Sequence, residues 1–190
     1  MAEIEPVETT NLDIYGSAVL PWSRVRDLLE VGQGQPTVGL EGEDHRTFWL
    51  STSGPGGQPH LAGIGALWVE ERFWFTSGAG TRKSRNVAAN PACALAASLP
   101  GLDLVVEGWA RRVTDRALLD RLAAAYRAQG WPAQVDGTEL TAPYSAPSAG
   151  PAPWQLYVIE TAVAHAVASA ERHGATRWRF ERTRPSSPAS

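Results

Sequence analysis

Hydrophobic positions along the chain follow two periods. Thr47 to Thr52 (TFWLST) reads as a strand, Gly54-Pro55-Gly56-Gly57 as a hairpin turn and His60 to Val69 as a second strand. Glu70-Glu71 makes a tight turn into a third strand, Arg72 to Thr76, so these segments predict an antiparallel meander. Alternation places Trp74 across the sheet from Phe73 and Phe75. Further strands are CALAASL and LDLVVEGWARRVT, joined by PGL, and finally WQLYVIETAVAHAVAS and ATRWRFER. Three segments carry the helical period instead. LPWSRVRDLLE puts Trp22, Val25, Leu28 and Leu29 on one face, with Pro21 suited to a first turn. TRKSRNVAAN has Thr81 as its N-cap and stops at Asn90-Pro91. RALLDRLAAAYRAQG is capped at Thr114-Asp115, sets Leu118, Leu122, Ala125 and Tyr126 on one face, and ends at Gly130 with Pro132 behind it. Short strands joined by tight turns, with few helices, predict a mainly β (α+β) fold, a small antiparallel barrel. A parallel Rossmann sheet is excluded, because it needs a helix between strands.

With 190 residues, 43% of them hydrophobic, the chain can build one domain with its own core. Its expected limits are residues 21–183, between an N-terminal tail (1–20) and a disordered Pro/Ser tail (184–190), with a Gly/Pro-rich connector at Val31 to Gly42. Trp131 to Trp154, rich in Pro, Gly, Ser and Ala, is too long for a neutral connector and is a candidate lid or interface loop. A net charge of −3 argues against a general nucleic-acid binder, so any anion site must be local. One cysteine, Cys93, excludes an internal disulfide framework and fits a reducing cytoplasm; with no secretory signal or membrane span in the sequence, a soluble cytoplasmic protein is expected. Eight tryptophans suggest a broad aromatic pocket or a large interface, although core packing accounts for most of them.

The stretch FTSGAGTRKSRNVAANP carries the candidate chemistry. A strand that runs through Gly78 and Gly80 into a helix N-terminus presents backbone N–H groups at a positive dipole end, where Arg82 and Lys83 add charge. Arg82 stands where a Walker loop has glycine, so this is not that motif. Local physics leaves two readings open, an anion site and a solvated basic helix start. The histidines His45, His60, His165 and His173 lack metal-ligand spacing, and no nucleophile signature is present. Asp103 and Glu107 share a strand face but have nothing else behind them.

The order of a strand, a tight turn, FWFTSGAGTRKSRNVAANP, two strands including VVEGWARRVTD, and an amphipathic helix resembles the pyridoxamine 5'-phosphate oxidase-like superfamily of split β-barrel, FMN-binding-like proteins. The resemblance implies a homodimer with a flavin or deazaflavin at its interface. It places the cofactor phosphate on Arg82 and Lys83, with Thr81 and Asn86 nearby, and lays Phe75, Thr76 and Ser77 along the cofactor. The strand His60, Leu61, Ala62, Gly63, Ile64, Gly65 would flank the ring system. The true oxidases carry Arg and Lys at the ends of that strand, where this chain has His60 and Gly65, so pyridoxamine phosphate oxidation is not expected. Small residues at Ala62 to Gly65 would admit a flat ring, or equally mark a barrel bend. The pattern is similar to reductases that use F-420, whose phosphate and acidic tail suit Arg82, Lys83 and Arg85; FMN is the alternative. Trp178 and Arg179 would reach the partner's cofactor by stacking and ion pairing, unless Trp178 and Phe180 simply point into the barrel. The implied activity is hydride transfer with a small conjugated or aromatic substrate, without a metal. The rival class is a non-catalytic carrier of flavin, deazaflavin or haem.

Overall fold

The computed structural model describes residues 4–31, 47–170 and 173–181; His45, most of the expected connector and the C-terminal tail lie outside them. Eleven strands, β1 (Glu8–Asn11), β2 (Phe48–Ser53), β3 (Pro59–Ile64), β4 (Ala66–Val69), β5 (Arg72–Gly78), β6 (Ala92–Leu99), β7 (Leu102–Val113), β8 (Gln134–Asp136), β9 (Glu139–Thr141), β10 (Trp154–Ala168) and β11 (Ala175–Arg179), form one antiparallel sheet. Helices α1 (Trp22–Val31), α2 (Arg82–Ala89) and α3 (Arg116–Ala128) complete the described fold, which is the expected mainly β split barrel.

The split has a local cause. The expected single strand from His60 to Val69 is two strands, because at Gly65 the chain leaves β2, to which β3 is bonded, and turns to β5, to which β4 is bonded. The ring β4-β5-β10-β7-β6-β2-β3 is therefore closed by the covalent backbone at Gly65. On the opposite wall β10 pairs with β7 along its length but changes its other partner, from β5 at Trp154–Ile159 to β11 at Val163–Val167. The change is made at a register shift between Thr161 and Val163, where Gly108 lies so close that a Cβ on it would sit 2.0 Å from Glu160 O. Only glycine fits that bend.

Two apolar clusters result. Phe48, Leu50, Phe73, Phe75, Leu95, Val106 and Ile159 fill the barrel, with Trp22, Val25 and Leu29 of α1 and Trp178 of β11 closing one end. Trp22 meets Trp178 edge-on with ring centroids 5.3 Å apart. Trp74, across β5 from Phe73 and Phe75 as expected, joins the second cluster, where Leu119, Leu122 and Tyr126 of α3 pack against Leu156, Val158 and Leu140. The Trp131 to Trp154 segment forms the β8–β9 hairpin and a short 3-10 turn at Pro147–Ala149, and its flanking tryptophans belong to this second cluster.

Part of the segment read as a tail is a strand: β1 pairs with β11 from Glu8 opposite Arg179 to Asn11 opposite Thr176. Its sequence, ETTN, has no apolar face to betray it, and an edge strand on an existing sheet needs none. The Glu70-Glu71 turn is present, with both residues at positive φ (55° and 57°). Ion pairs hold this unfavourable backbone, Glu70 to Arg121 of α3 at 2.9 Å and Glu71 to Arg26 of α1 at 3.2 Å. No described helix is long and apolar enough to cross a membrane.

Candidate functional site

Thr81 caps α2 in extended conformation, its Oγ1 accepting from Ser84 N at 3.3 Å, and Ser77 at the end of β5 braces that hydroxyl with Oγ 2.8 Å away. The basic residues then diverge. Arg82 is exposed, whereas Arg85 folds back to donate to Gly80 O. Lys83, only 3% exposed, points inward and donates to the Ser148 carbonyl. Burial pulls its ammonium below the usual lysine range, and no charged group among the described residues offsets the shift. Asn86, one turn on and buried, donates to Thr52 Oγ1 at 3.0 Å and ties α2 to β2.

His60, partly buried on β3, lies within reach of the same charges. Burial, then the positive Arg82 and Lys83, hold its imidazole below the ordinary histidine value. Its Nδ1 is buried without a hydrogen-bond partner. A second orphan lies nearby: the buried Tyr126 hydroxyl sits close to Thr76 but makes no hydrogen bond of full geometry. Beside Lys83 and Tyr126 is a cavity of about 100 Å³, walled by Ile64 and Gly65 at the barrel's split, Thr76, Lys83, Tyr126 and Gln129, and roofed by Ser145, Ala146, Ser148 and Ala149. A Cβ on Gly65 would meet nothing within 4 Å, so the backbone there is open to a close approach.

Of the residues singled out in the sequence, Ile64, Gly65, Thr76 and Lys83 line the cavity at this corner, Thr81 caps the helix that carries Lys83, and His60 is near enough to Arg82 and Lys83 to feel their charge. Ala62 and Gly63 are half-buried neighbours on β3, and Leu61 is exposed on the outer face of the sheet. Phe75 points into the barrel, stacked on Tyr157 with centroids 5.0 Å apart, and Ser77 serves the cap. The stacking role for Trp178 is corrected. Its ring is 1% exposed and packed in its own barrel, so it cannot lie on a partner's ligand. Arg179 is on the outer face beside Glu8 (3.6 Å), on a strand at the far end of the sheet from β3. Asp103 and Glu107 are taken up separately, by Ser98 at 2.8 Å and His165 at 3.8 Å. No described group of side chains has the makings of a metal site. Sequence reasoning missed Tyr126, Gln129 and Ser148. Tyr126 falls on the apolar face of α3, and nothing in the period distinguishes a packing tyrosine from one that borders a cavity.

The sequence profile of the family described as Pyridoxamine 5'-phosphate oxidase matches residues 40–154, more than half of the chain and all of this corner. The chain belongs to that family. No curated protein matches it. Solved structures with the same fold include a nimc/nima family protein from Clostridium acetobutylicum, 13% identical over 82% of this chain and 91% of that one, TM-score 0.52. A conserved hypothetical protein from Mycobacterium tuberculosis is 17% identical, with 88% and 89% covered and a TM-score of 0.52. PhzG from Burkholderia lata 383, in complex with tetrahydrophenazine-1-carboxylic acid, is 15% identical, with 86% and 89% covered and a TM-score of 0.52. At these identities the likeness is one of fold, and what the family's site does in this chain must be argued from its own residues.

Proposed function

We propose that the chain is an oxidoreductase that binds F-420, with FMN as the alternative, and works as a homodimer on a small conjugated or aromatic substrate. The observation that carries this is Lys83, a buried ammonium whose partner in the structure is a neutral carbonyl and which no described carboxylate pairs with. A buried charge without a counter-charge is costly, and an anionic ligand removes that cost. The donors suit a phosphate: the first-turn amides of α2, Lys83, exposed Arg82 and the His60 imidazole. Arg82 would hold the further negative charge of an F-420 tail, which FMN lacks. Ala62 to Gly65 would flank the ring, with open space at Gly65.

When bound, such a cofactor supplies the hydride chemistry. The protein's residues bind and orient it, Lys83 and the first turn of α2 at the phosphate and Gly65 at the ring. For the homodimer the support is the outer face of the sheet. Trp49, Leu61, Val105 and Val167 are exposed there, and cross-strand register puts them on one side of β2, β3, β7 and β10. A second copy on that face would cover them and bring its Arg179 toward the site.

Titration with F-420 and with FMN, followed by fluorescence and thermal shift, tests the reading. Tighter binding of F-420, with turnover when an acceptor is added, is the expected result. Tight binding without turnover of any acceptor would make the chain a carrier, and binding of neither cofactor would overturn the proposal.

A further inference from the structure

Residues 145–151 run across the site as a strap, anchored at both ends and held in the middle by polar contacts. Trp131 Nε1 donates to Tyr144 O at 2.7 Å, just before the strap, and Trp154 Nε1 donates to Gly150 O at 2.8 Å; both indoles are buried in the second cluster. Between the anchors the strap touches all three elements of the site. Ser148 O accepts from Lys83 of α2, and Ser148 Oγ donates to Gly63 O of β3 at 3.2 Å. At the end of β5 the packing is so close that a Cβ on Gly78 would lie 3.0 Å from both Ala149 O and Pro151 O. Underneath lies the cavity, with Lys83 and the orphaned Tyr126 hydroxyl in its wall.

The contacts at the middle of the strap are of the kind that a ligand outcompetes. A bond from an ammonium to an anionic oxygen is about twice as strong as one between neutral groups, and Ser148 offers Lys83 only a neutral carbonyl. The Ser148 side-chain bond is neutral and its residue is exposed, so water replaces it readily. Trp131 and Trp154 tether the two ends, so lifting the middle would draw only Ala149 of the strap out of the second cluster.

We infer that the strap is an autoinhibitory element: Ser148 O occupies, at Lys83, the place of a ligand's anionic oxygen, and a phosphate-bearing ligand displaces it to open the cavity. This rests on the reading of Lys83 as an anion-binding residue. The free protein is then the closed state, and strap opening limits how fast ligand enters.

Hydrogen exchange on the full chain, with and without FMN, F-420 or pyrophosphate, reads this directly. In the structure the Ala149 amide donates to Ala146 O at 2.8 Å and the Gly150 amide to Pro147 O at 3.2 Å. Exchange at these two amides is expected to rise on binding while the first turn of α2 becomes slower. The Ser148→Gly variant is expected to take up the same probes roughly two- to tenfold faster, the factor that one neutral hydrogen bond is worth. Binding to Ser148→Gly alone would also support the strap. Should a probe bind with exchange in the strap unchanged or slowed, the strap is part of a fixed wall and this inference falls while the cofactor reading stands. Should no probe bind either protein, both fall together.

Discussion

The two apolar clusters of this protein are built to different standards of completeness. Inside the barrel Phe48 meets Phe73 edge to face, Trp68 tilts against Phe73 and Phe75 stacks on Tyr157, and the orphaned polar atom there is the Trp22 indole nitrogen at one end. In the second cluster Tyr126 and Trp131 also pack edge to face, yet the packing stops at a cavity edged by a lysine and by a tyrosine hydroxyl without a full partner. Both lie on β5, one on each face of the strand. The difference teaches that β5 separates a side filled by ring contacts from a side whose packing ends at a cavity, which Ile64 and Ala66 of the barrel cluster border only at its rim.

The sharpest way to break that comparison is to damage each side in turn. Phe73→Ala empties a fully buried ring position in the barrel and should cost about 3–5 kcal/mol of stability by denaturant unfolding. A loss below about 1 kcal/mol would mean that the barrel interior is no better packed than its neighbour.

Lys83→Met should do the reverse, leaving the fold at least as stable while removing anion affinity. Loss of one charge-assisted bond is worth about 1.5–3 kcal/mol, read as a ten- to hundredfold weaker titration with F-420 or FMN. Stability adds a check that involves no ligand. The folded-state pKa of Lys83 lies below its ordinary value of 10.5, so as pH climbs toward 10.5 the folded form sheds a proton that the unfolded chain still holds. Wild-type stability should therefore rise relative to Lys83→Met across that window. The difference between the two proteins is the quantity to measure, because Cys93 (pushed up to about 12 by burial) and Tyr126 pull both proteins the opposite way. A flat difference would mean that Lys83 is not desolvated.

How far these regions could be read in advance follows the same division. Barrel strands advertise themselves by alternation, and α3 by its cap and period, so the fold and the Thr81-capped turn are legible in the residues. The divergence of Arg82, Lys83 and Arg85 is not, because adjacent helical positions differ by about 100° and only the neighbours decide which one is buried. In residues 147–153, with Pro147, Pro151 and Pro153, the carbonyl of Ser148 has no sequence signal at all. What mattered at the site was a backbone atom, and sequence patterns describe side chains.

A smaller effect is expected at His60. Burial and the cations Arg82 and Lys83 keep its imidazole neutral below the ordinary value of 6.5, and a bound phosphate would supply the counter-charge that lets it take up a proton. Affinity for FMN or F-420 should therefore increase as pH falls below about 6.5, and His60→Gln should flatten the profile. Affinity that is independent of pH from 7.5 to 5.5, beyond the change in the ligand's own charge, would remove His60 from the site.

The smallest change is the most discriminating. Tyr126→Phe deletes a buried hydroxyl that makes no full hydrogen bond, so its loss should leave stability within about 0.5 kcal/mol of wild type, or raise it, since an unsatisfied polar group costs its own desolvation. If the hydroxyl exists for packing, nothing else should change. If it is kept for a ligand in the cavity that it edges with Lys83 and Gln129, substrate turnover or binding should weaken by the several-fold that one hydrogen bond is worth while the melting temperature stays where it was. A stability loss of 1 kcal/mol or more would show that Thr76 satisfies Tyr126 after all, and the second cluster would then be as complete as the first.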